Sequence, residues 1–155
     1  VAAIAGHSPA GGCVLALCCD HRVMASGAWQ IGLNETQVGI VVPEGVQHLL
    51  RRAVGPRRAG RMLLSGQMID ADEAFAIGLI DELAAQTDVE ARALDWLLSL
   101  RSLPRAPMLQ TRAIARADVV DALRPERIRL ETFIEAWTAP DTQAGLRALV
   151  ARLGK

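Results

Sequence analysis

Two short segments of this sequence combine residue types that suit the removal of a proton next to a carbonyl group. In "PAGGC", Gly11 and Gly12 lie where a loop becomes an apolar segment, and in "GLNETQ" a single acid, Glu35, lies among uncharged residues. A glycine at such a turn lets a ligand approach backbone N–H groups that have no partner within the following helix. Because the helix dipole adds partial positive charge there, the turn could stabilise an oxygen anion that develops during a reaction.

Glu35 is the candidate base. Its apolar neighbours include Ile31, Leu33 and Val38, and no basic residue lies beside it in the sequence. A carboxyl group held among apolar groups has a raised pKa, which suits proton transfer near neutral pH.

Both features also have structural explanations. Gly11 and Gly12 would permit a tight turn and close helix packing, and the local sequence alone does not decide against this. Asn34 could cap a helix whose first turn holds Glu35, where the dipole favours an acid. Taken together, a lone acid and an oxyanion turn predict enolate chemistry, since this needs a base on one side of the substrate and charge stabilisation on the other.

Short strands and helices are predicted to position these residues. The run "VAAIAG" predicts a buried strand, "HSPAGG" a loop, "CVLALCCD" a helix buried on all sides, and "HRVMAS" and "WQIGL" two further strands. Pro43 suits a first helical position. The segment that follows it places four apolar residues on one helix face: Val46, Leu49, Leu50 and Val54.

Helices are predicted to dominate the rest of the chain. "PRRAGRMLLSG" predicts a short helix and "LIDEL" a strand, with capping boxes at Asp70–Glu73 and Thr87–Glu90. After the helix "VEARALDWLLSL", Pro104 and Pro107 break the pattern, and three more helices are predicted over "APMLQTRAIARADVVDALR", "PERIRLETFIEAWTA" and "DTQAGLRALVARLG". Strands in the first third followed by helices predict a fold of the α/β (α+β) class.

Composition excludes several kinds of partner. The chain has 155 residues, enough for one domain, and its 17 acidic and 17 basic residues balance, so neither a nucleic acid nor an anionic membrane is expected as a partner. Four arginines are interpreted as a solvated helix face in preference to a phosphate site: Arg51, Arg52, Arg57 and Arg58.

The three cysteines lack zinc or disulfide spacing, which favours buried thiols in a reducing compartment. No bilayer-spanning run or leader is evident, and the start at Val1 within an apolar run predicts a piece of a longer protein.

Three segments carry a resemblance to a known family. "VAAIAGHSPAGGCVLALCCDHRVMAS", "IGLNETQVGIVVP" and "AVGPRRAGRMLLSGQMIDADEAFAIGLIDEL" resemble the crotonase (enoyl-CoA hydratase/isomerase) superfamily, and most of all its mitochondrial-type Δ3,Δ2-enoyl-CoA isomerases. The resemblance implies a spiral of ββα units over residues 1–84, without its N-terminal part, and a helical region over 85–155 for trimer formation and active-site cover. It also implies an acyl-CoA thioester substrate, no metal or redox cofactor, since coenzyme A is part of the substrate, and a homotrimer or hexamer.

The resemblance assigns roles to individual residues. Gly11 matches the glycine whose N–H forms half of an oxyanion hole, and Glu35 matches the catalytic glutamate. The implied substrate-binding residues are Pro9, Ala10, Gly12, Val14, Ile31, Leu33 and Val41. The N-terminal portion of family members, which supplies the other oxyanion donor, precedes the first strand of this chain and is expected to be needed for a complete site.

Val14 is a residue at which this chain departs from the family's hydratases, and this departure bears on whether a hydratase or an isomerase is expected. Family hydratases are similar in having "GGCE", whose glutamate positions and activates water, whereas this chain has "GGCV". An apolar side chain cannot do this, so the resemblance implies an isomerase with a single-glutamate proton shuttle in fatty acid β-oxidation. A hydratase-like acyl-CoA enzyme and a truncated, non-catalytic scaffold remain alternatives. A bacterial cytoplasm is the expected location, with the mitochondrial matrix as the alternative.

Four further residues have weaker interpretations. Glu44, at a predicted helix start, is only a minor candidate for a second acid facing the acyl pocket. His48 is expected on a helix surface or at an interface. Phe133 and Trp137, one helical turn apart, are interpreted as core or subunit contacts more readily than as a ligand wall.

Overall fold

The computed structural model describes residues 1–152 and 154. Leu153 and Lys155, which belong to the predicted 85–155 region, lie outside the described residues. The six strands are short: β1 (Ala2–Ile4), β2 (Ser8–Pro9), β3 (Arg22–Ala25), β4 (Gln30–Gly32), β5 (Ile69–Asp70) and β6 (Glu82–Ala84). The first helices are α1 (Gly11–Leu17), α2 (Glu44–Val54), α3 (Pro56–Ser65), α4 (Ala71–Ala76) and α5 (Val89–Ser99). The others are α6 (Arg105–Ala115), α7 (Ala117–Ala122), α8 (Pro125–Ile128), α9 (Leu130–Thr138) and α10 (Pro140–Arg152), and two 3₁₀ turns span Glu35–Val38 and Leu100–Ser102.

The strands form two sheets, between which the chain alternates from β1 to β4. One sheet has the order β1-β3-β6, with all strands parallel, and the other has the order β2-β4-β5, with β2 and β4 parallel and β5 antiparallel to β4. Each pair of consecutive strands (β1 and β2, β3 and β4, β5 and β6) adds one strand to each of the two sheets. This is the predicted α/β spiral, and the strands predicted at "HRVMAS" and "WQIGL" fall in different sheets.

The core lies between the sheets and helices α1 to α4. Val23, Met24 and Ala25 of β3 are completely buried, because β3 is the central strand of its sheet and is covered on both faces. The predicted face of α2 is confirmed, since Val46, Leu49, Leu50 and Val54 are all buried. Burial of such side chains contributes roughly 1.5–3 kcal/mol each, and this fixes α2 against its neighbours α1 and α3.

Several local predictions are wrong. Helix α1 is not buried on all sides, because Leu15 is 72% exposed. Pro43 is the residue before α2 and not its first residue. The strand predicted over "LIDEL" begins only at Glu82, after a buried turn. "HSPAGG" contains a two-residue strand, β2, that pairs with β4.

The two predicted capping boxes have different outcomes. Asp70 accepts a hydrogen bond from the Glu73 N–H at 2.8 Å, as predicted for the start of α4. The prediction of a capping box at Thr87–Glu90 is wrong, because α5 begins at Val89, after Asp88. The Thr87 hydroxyl donates to the Asp88 carboxylate instead.

The C-terminal helices are more broken than predicted. A break at Arg116 separates α6 from α7, and Arg129 separates α8 from α9 with a positive φ of 53°. Ion pairs hold α6 and α7 to the spiral: Asp20 pairs with Arg112 and Arg116, and Asp118 pairs with Arg52. The division of the chain into a spiral over 1–84 and a helical region over 85–155 stays a prediction. Val89 of α5, which lies just beyond this boundary, packs with β3 of the spiral.

Candidate active site

The two chemically interesting segments leave the β2-β4-β5 sheet side by side. Pro9 of β2 lies opposite Gly32 of β4 in parallel register, and the Ala10 N–H donates to the Gly32 carbonyl at 2.9 Å. The chain runs on from the carboxyl end of each strand. Gly11 and Glu35 therefore follow at the same edge of the sheet, and both line one cavity of about 670 Å³.

The turn before α1 exposes a backbone donor. Ala10 has φ 47° and ψ −116°, a conformation that non-glycine residues rarely adopt and that stores strain, and no side chain caps the helix. As the first helical residue, Gly11 has an N–H without a partner inside the helix. The strained turn thus presents a donor beside the cavity.

The two glycines of the pair have different reasons to be small. A Cβ atom on Gly12 would lie 2.9 Å from the Ser8 hydroxyl oxygen, so Gly12 serves close packing of α1 on β2. A Cβ atom on Gly11 would meet no atom of the described chain within 4 Å. Internal packing therefore does not require a glycine at position 11, and the open space beside it is available to a ligand.

The candidate base is held in a short turn that is anchored on two sides. Glu35 opens the 3₁₀ turn Glu35–Val38. The Thr36 hydroxyl donates to the Leu63 carbonyl of α3, and the Thr142 hydroxyl of α10 donates to the Gly39 carbonyl just after the turn. These bonds fix the backbone on which the carboxyl group is carried.

The surroundings of Glu35 disfavour its charge. Its Oε2 atom is buried and has no hydrogen-bond partner within the described residues. Burial raises the pKa of the Glu35 carboxyl, and a backbone hydrogen bond at Glu35 opposes this only partly. Burial, and then the nearby Glu35 carboxylate, raise the pKa of the Cys13 thiol to about 12 against the opposing charge of Arg22. Glu35 thus lies in the first turn of a short helix, as the interpretation of Asn34 as a helix cap predicted. Its carboxyl group is also desolvated.

The rest of the cavity is apolar. Among the described residues that line it, Glu35 has the one ionisable side chain. Val14 also lines the cavity, at the position where the family's hydratases are expected to have a second glutamate. Helices α8, α9 and α10 contribute the far wall: Ile128, Leu130, Phe133, Trp137, Leu146 and Leu149. The Phe133 and Trp137 rings lie 6.1 Å apart. The aromatic pair is therefore a cavity wall, which the sequence had favoured less than a core or subunit contact.

Five of the predicted substrate-binding residues lie away from this cavity. Ile31 and Leu33 are buried in the protein core, and Val41 is 59% exposed in a separate groove on the other side of its segment. Ile40, the residue before Val41, lines the cavity in place of Val41. Pro9 and Gly12 support the turn from behind, whereas Ala10 and Val14 do line the cavity.

The structure also shows where Glu44 and His48 lie relative to the cavity. The Glu44 carboxylate is exposed and lies 3.5 Å from Arg127, outside the cavity lining. His48 lies at the surface, 3.1 Å from Asp118, as expected. Sequence reasoning missed Asn34 as a lining residue, although its place beside Glu35 was the available signal.

Metal and membrane features are absent from the residues described. Across 1–152 and 154, no three or more His, Cys, Asp or Glu side chains cluster as they would around a metal ion. The same residues include no helix with the length and hydropathy needed to cross a bilayer.

Comparison with known proteins decides the family. The model of the enoyl-CoA hydratase/isomerase family matches residues 1–153. The chain belongs to this family. It is 32% identical to human mitochondrial enoyl-CoA delta isomerase 1 over 99% of this chain and 51% of that protein. It is 30% identical to the crotonyl-CoA hydratase of Syntrophomonas wolfei over 98% of this chain and 58% of that protein.

A solved structure of the family shows the same fold. The crystal structure of human mitochondrial Δ3-Δ2-enoyl-CoA isomerase matches with a TM-score of 0.85 and 30% identity, covering 96% of this chain and 58% of that one. The chain thus spans about half the length of these family members. The predicted crotonase-like spiral is confirmed for the part of the fold that the chain contains.

Proposed function

We propose that the protein containing this chain is a Δ3,Δ2-enoyl-CoA isomerase of fatty acid β-oxidation. The observation that carries the proposal is the cavity in which Glu35 is the one ionisable residue among the described lining, with Gly11 beside it and Val14 in place of a second acid. A single desolvated carboxyl group suits a reaction in which one proton leaves and returns.

In the proposed mechanism Glu35 acts as base and then as acid. Its carboxylate takes a proton from C2 of a 3-enoyl-CoA, and the electron pair of that C–H bond delocalises onto the thioester oxygen. The Gly11 N–H stabilises the resulting enolate. The double bond then moves to C2–C3 as the protonated Glu35 returns its proton to C4, which gives trans-2-enoyl-CoA and restores the carboxylate.

The apolar walls protect this shuttle from water. Water in the site would exchange with the proton held by Glu35 or add to the product. Val14 cannot orient or deprotonate water, and Ile40 and Val46 close the same wall with aliphatic groups. Phe133 and Trp137 are proposed to contact the acyl chain beyond the reacting carbons.

The complete enzyme requires more than this chain. The remaining portion found in relatives is proposed to supply the other oxyanion donor, and coenzyme A enters only as part of the substrate, with no separate cofactor. Exposed apolar residues on the C-terminal helices, such as Ile114, Val120 and Ile134, support the proposed homotrimer or hexamer. A sedimentation mass other than three or six subunits would exclude that assembly. The bacterial cytoplasm, or else the mitochondrial matrix, stays the proposed location, to be checked by fractionation.

Substrate turnover by the intact protein tests the proposal. With a 3-enoyl-CoA, absorbance of the conjugated thioester should rise as trans-2-enoyl-CoA forms. The second candidate, a hydratase, is favoured by the 30% identity to a crotonyl-CoA hydratase, and it predicts loss of that absorbance when a 2-enoyl-CoA is the substrate. Stable oligomers that neither turn over nor bind acyl-CoA would instead indicate a scaffold.

A further inference from the structure

Asn34 lies beside the proposed base and carries a buried polar atom that has no hydrogen-bond partner in the described part of the chain. It directly precedes the 3₁₀ turn and lines the same cavity as Glu35. Its Oδ1 atom and the Oε2 atom of Glu35 are both closed off from solvent, and neither has a hydrogen-bond partner within the described residues. An asparagine at this position usually caps a turn through its side chain, but Asn34 makes no such bond.

Two unpartnered acceptors on adjacent residues are unfavourable in an apolar cavity. A carboxamide also carries two donor hydrogens, and half a turn about its last side-chain bond exchanges the oxygen with the nitrogen. The other polar side chains of the turn are engaged elsewhere: the Thr36 hydroxyl donates to Leu63, and the Gln37 amide donates to the Gly66 carbonyl at 2.8 Å. Within residues 1–152 and 154, Asn34 is therefore the side chain of this segment whose amide donors are not engaged elsewhere.

We propose that Asn34 is a positioning residue for Glu35, whose carboxamide donates a hydrogen bond to the inner carboxylate oxygen, Oε2. The outer oxygen, Oε1, is then left to exchange the proton with the substrate. This inference rests on the proposed role of Glu35 as the base. The bond holds the carboxyl group in one rotamer while the proton moves from C2 to C4, which matters because small displacements of a reacting group are costly in rate.

Few other groups can affect the titration of Glu35. The remaining described residues that line the cavity carry no ionisable side chain. Cys13 of α1 is the nearby ionisable group, and it is a neutral thiol because its pKa is raised to about 12. Among the described residues, the hydrogen bonds that join the turn and Gly39 to α3, to Gly66 after it and to α10 connect neutral groups, at Leu63, Gly66 and Thr142. A hydrogen bond from Asn34 would therefore be visible in the titration.

The direct test is a ¹³C NMR titration of glutamate-labelled intact protein, with Glu35→Gln identifying the Glu35 resonance. A donor to the carboxylate favours its charged form, so Asn34→Leu should move the Glu35 titration upward by about one pH unit. The control Gln37→Ala removes a hydrogen bond of the same turn that points to Gly66, and should leave the titration unchanged. An unchanged Glu35 titration in Asn34→Leu would overturn the proposal, and Asn34→Ala provides the same comparison should the leucine variant not fold.

Turnover separates this inference from the proposed function. In an active isomerase, Asn34→Leu should lower kcat between about 10- and 100-fold with little change in KM, and the acid limb of kcat should move to higher pH. A lower kcat with an unmoved limb would mark Asn34 as structural only and overturn the inference. Absence of isomerase turnover in the unmodified protein would refute the proposed function, while the NMR titration would still decide the role of Asn34.

Discussion

At the scale of single residues, Glu35 combines a chemical use with a cost in stability. Its carboxyl group has a raised pKa because the fold withdraws it from water. Below the ordinary glutamate pKa of about 4.3, the group is neutral in both the folded and the unfolded chain, and burial of a charge costs nothing. As pH rises through the higher folded pKa, the folded protein loses stability relative to one without this acid.

The variant Glu35→Gln tests that cost. It should raise the thermal unfolding midpoint at pH 7 to 8, and the difference from the unmodified protein should disappear near pH 4. Thermal unfolding followed by circular dichroism across this pH range measures both. A difference that grows toward acid would mean that Glu35 is stabilised as a carboxylate, contrary to the effect of its burial.

Gly11 allows a second test at this scale. Gly11→Ala adds a methyl group that meets no atom of the described chain, so the free energy of unfolding should change by no more than about 1 kcal/mol. The methyl group would, however, occupy the space in which a thioester oxygen approaches the N–H, and kcat/KM should fall at least about tenfold. Steady-state kinetics and chemical denaturation measure the two effects. Full activity in a folded Gly11→Ala protein would place the oxyanion elsewhere.

The sequence predicted the two central residues but only some of their neighbours. Glu35 and Gly11 were predicted because the acid and the glycine turn together suit enolate chemistry and match the family's motifs, although each alone also has a structural explanation. Val41 was assigned to the cavity and Ile40 was not, because which side an extended residue faces depends on the register of the loop. Asn34 was interpreted only as a helix cap, since its missing partner is visible only in three dimensions.

At the scale of helices and strands, close backbone packing fixes how the elements around the site meet. A Cβ atom on Gly45 of α2 would overlap the Ala122 carbonyl oxygen of α7, so these helices approach each other more closely than any other residue would allow. Gly60 of α3 is exposed, and a Cβ atom there would meet no atom of the described chain within 4 Å.

This contrast predicts opposite effects for the same substitution in two helices. Gly45→Ala should destabilise the fold by about 1–3 kcal/mol, because the added methyl group would overlap a backbone oxygen that cannot rotate away. Gly60→Ala should stabilise it by up to about 1 kcal/mol through helix propensity alone. Chemical denaturation of both variants measures the difference, and equal effects would show that α2 and α7 do not pack closely.

Helices and strands that local sequence patterns define were predicted well. Those that depend on contacts between distant segments of the chain were not. The face of α2 and the start of α4 at Asp70 follow from local patterns. The two-residue strands β2 and β5 exist only through pairing with β4, which no local pattern encodes. The break at Arg129 has a positive φ at a residue that does not favour it, so no local signal divided α8 from α9.

At the scale of the whole molecule, the cavity joins distant parts of the chain. Its reacting end comes from the loops after β2 and β4, and its apolar wall comes from α8 to α10, much later in the sequence. The resemblance to known sequences predicted the spiral and the site segments together. It did not predict how the last helices meet the cavity, because their contacts depend on breaks at Arg116 and Arg129.

Trp137 tests this long-range arrangement. Removing its ring by Trp137→Ala should lower kcat/KM for long acyl chains more than for a short one, by about fourfold for each methylene group that loses contact. The control Trp96→Ala removes a ring that stacks on His21 away from the cavity, and should leave the chain-length profile unchanged. Identical profiles in all three proteins would remove α9 from the acyl-binding wall.

In the proposed reaction, the single desolvated carboxyl group of Glu35 moves the proton. The most direct measurement is the rate at which the intact protein and its Glu35→Gln variant convert a 3-enoyl-CoA to the trans-2-enoyl-CoA, with folding of both confirmed by thermal unfolding. Because the amide cannot accept or return the proton, kcat should fall by about 10²- to 10⁴-fold in the variant. Equal rates in the two folded proteins would contradict the claim.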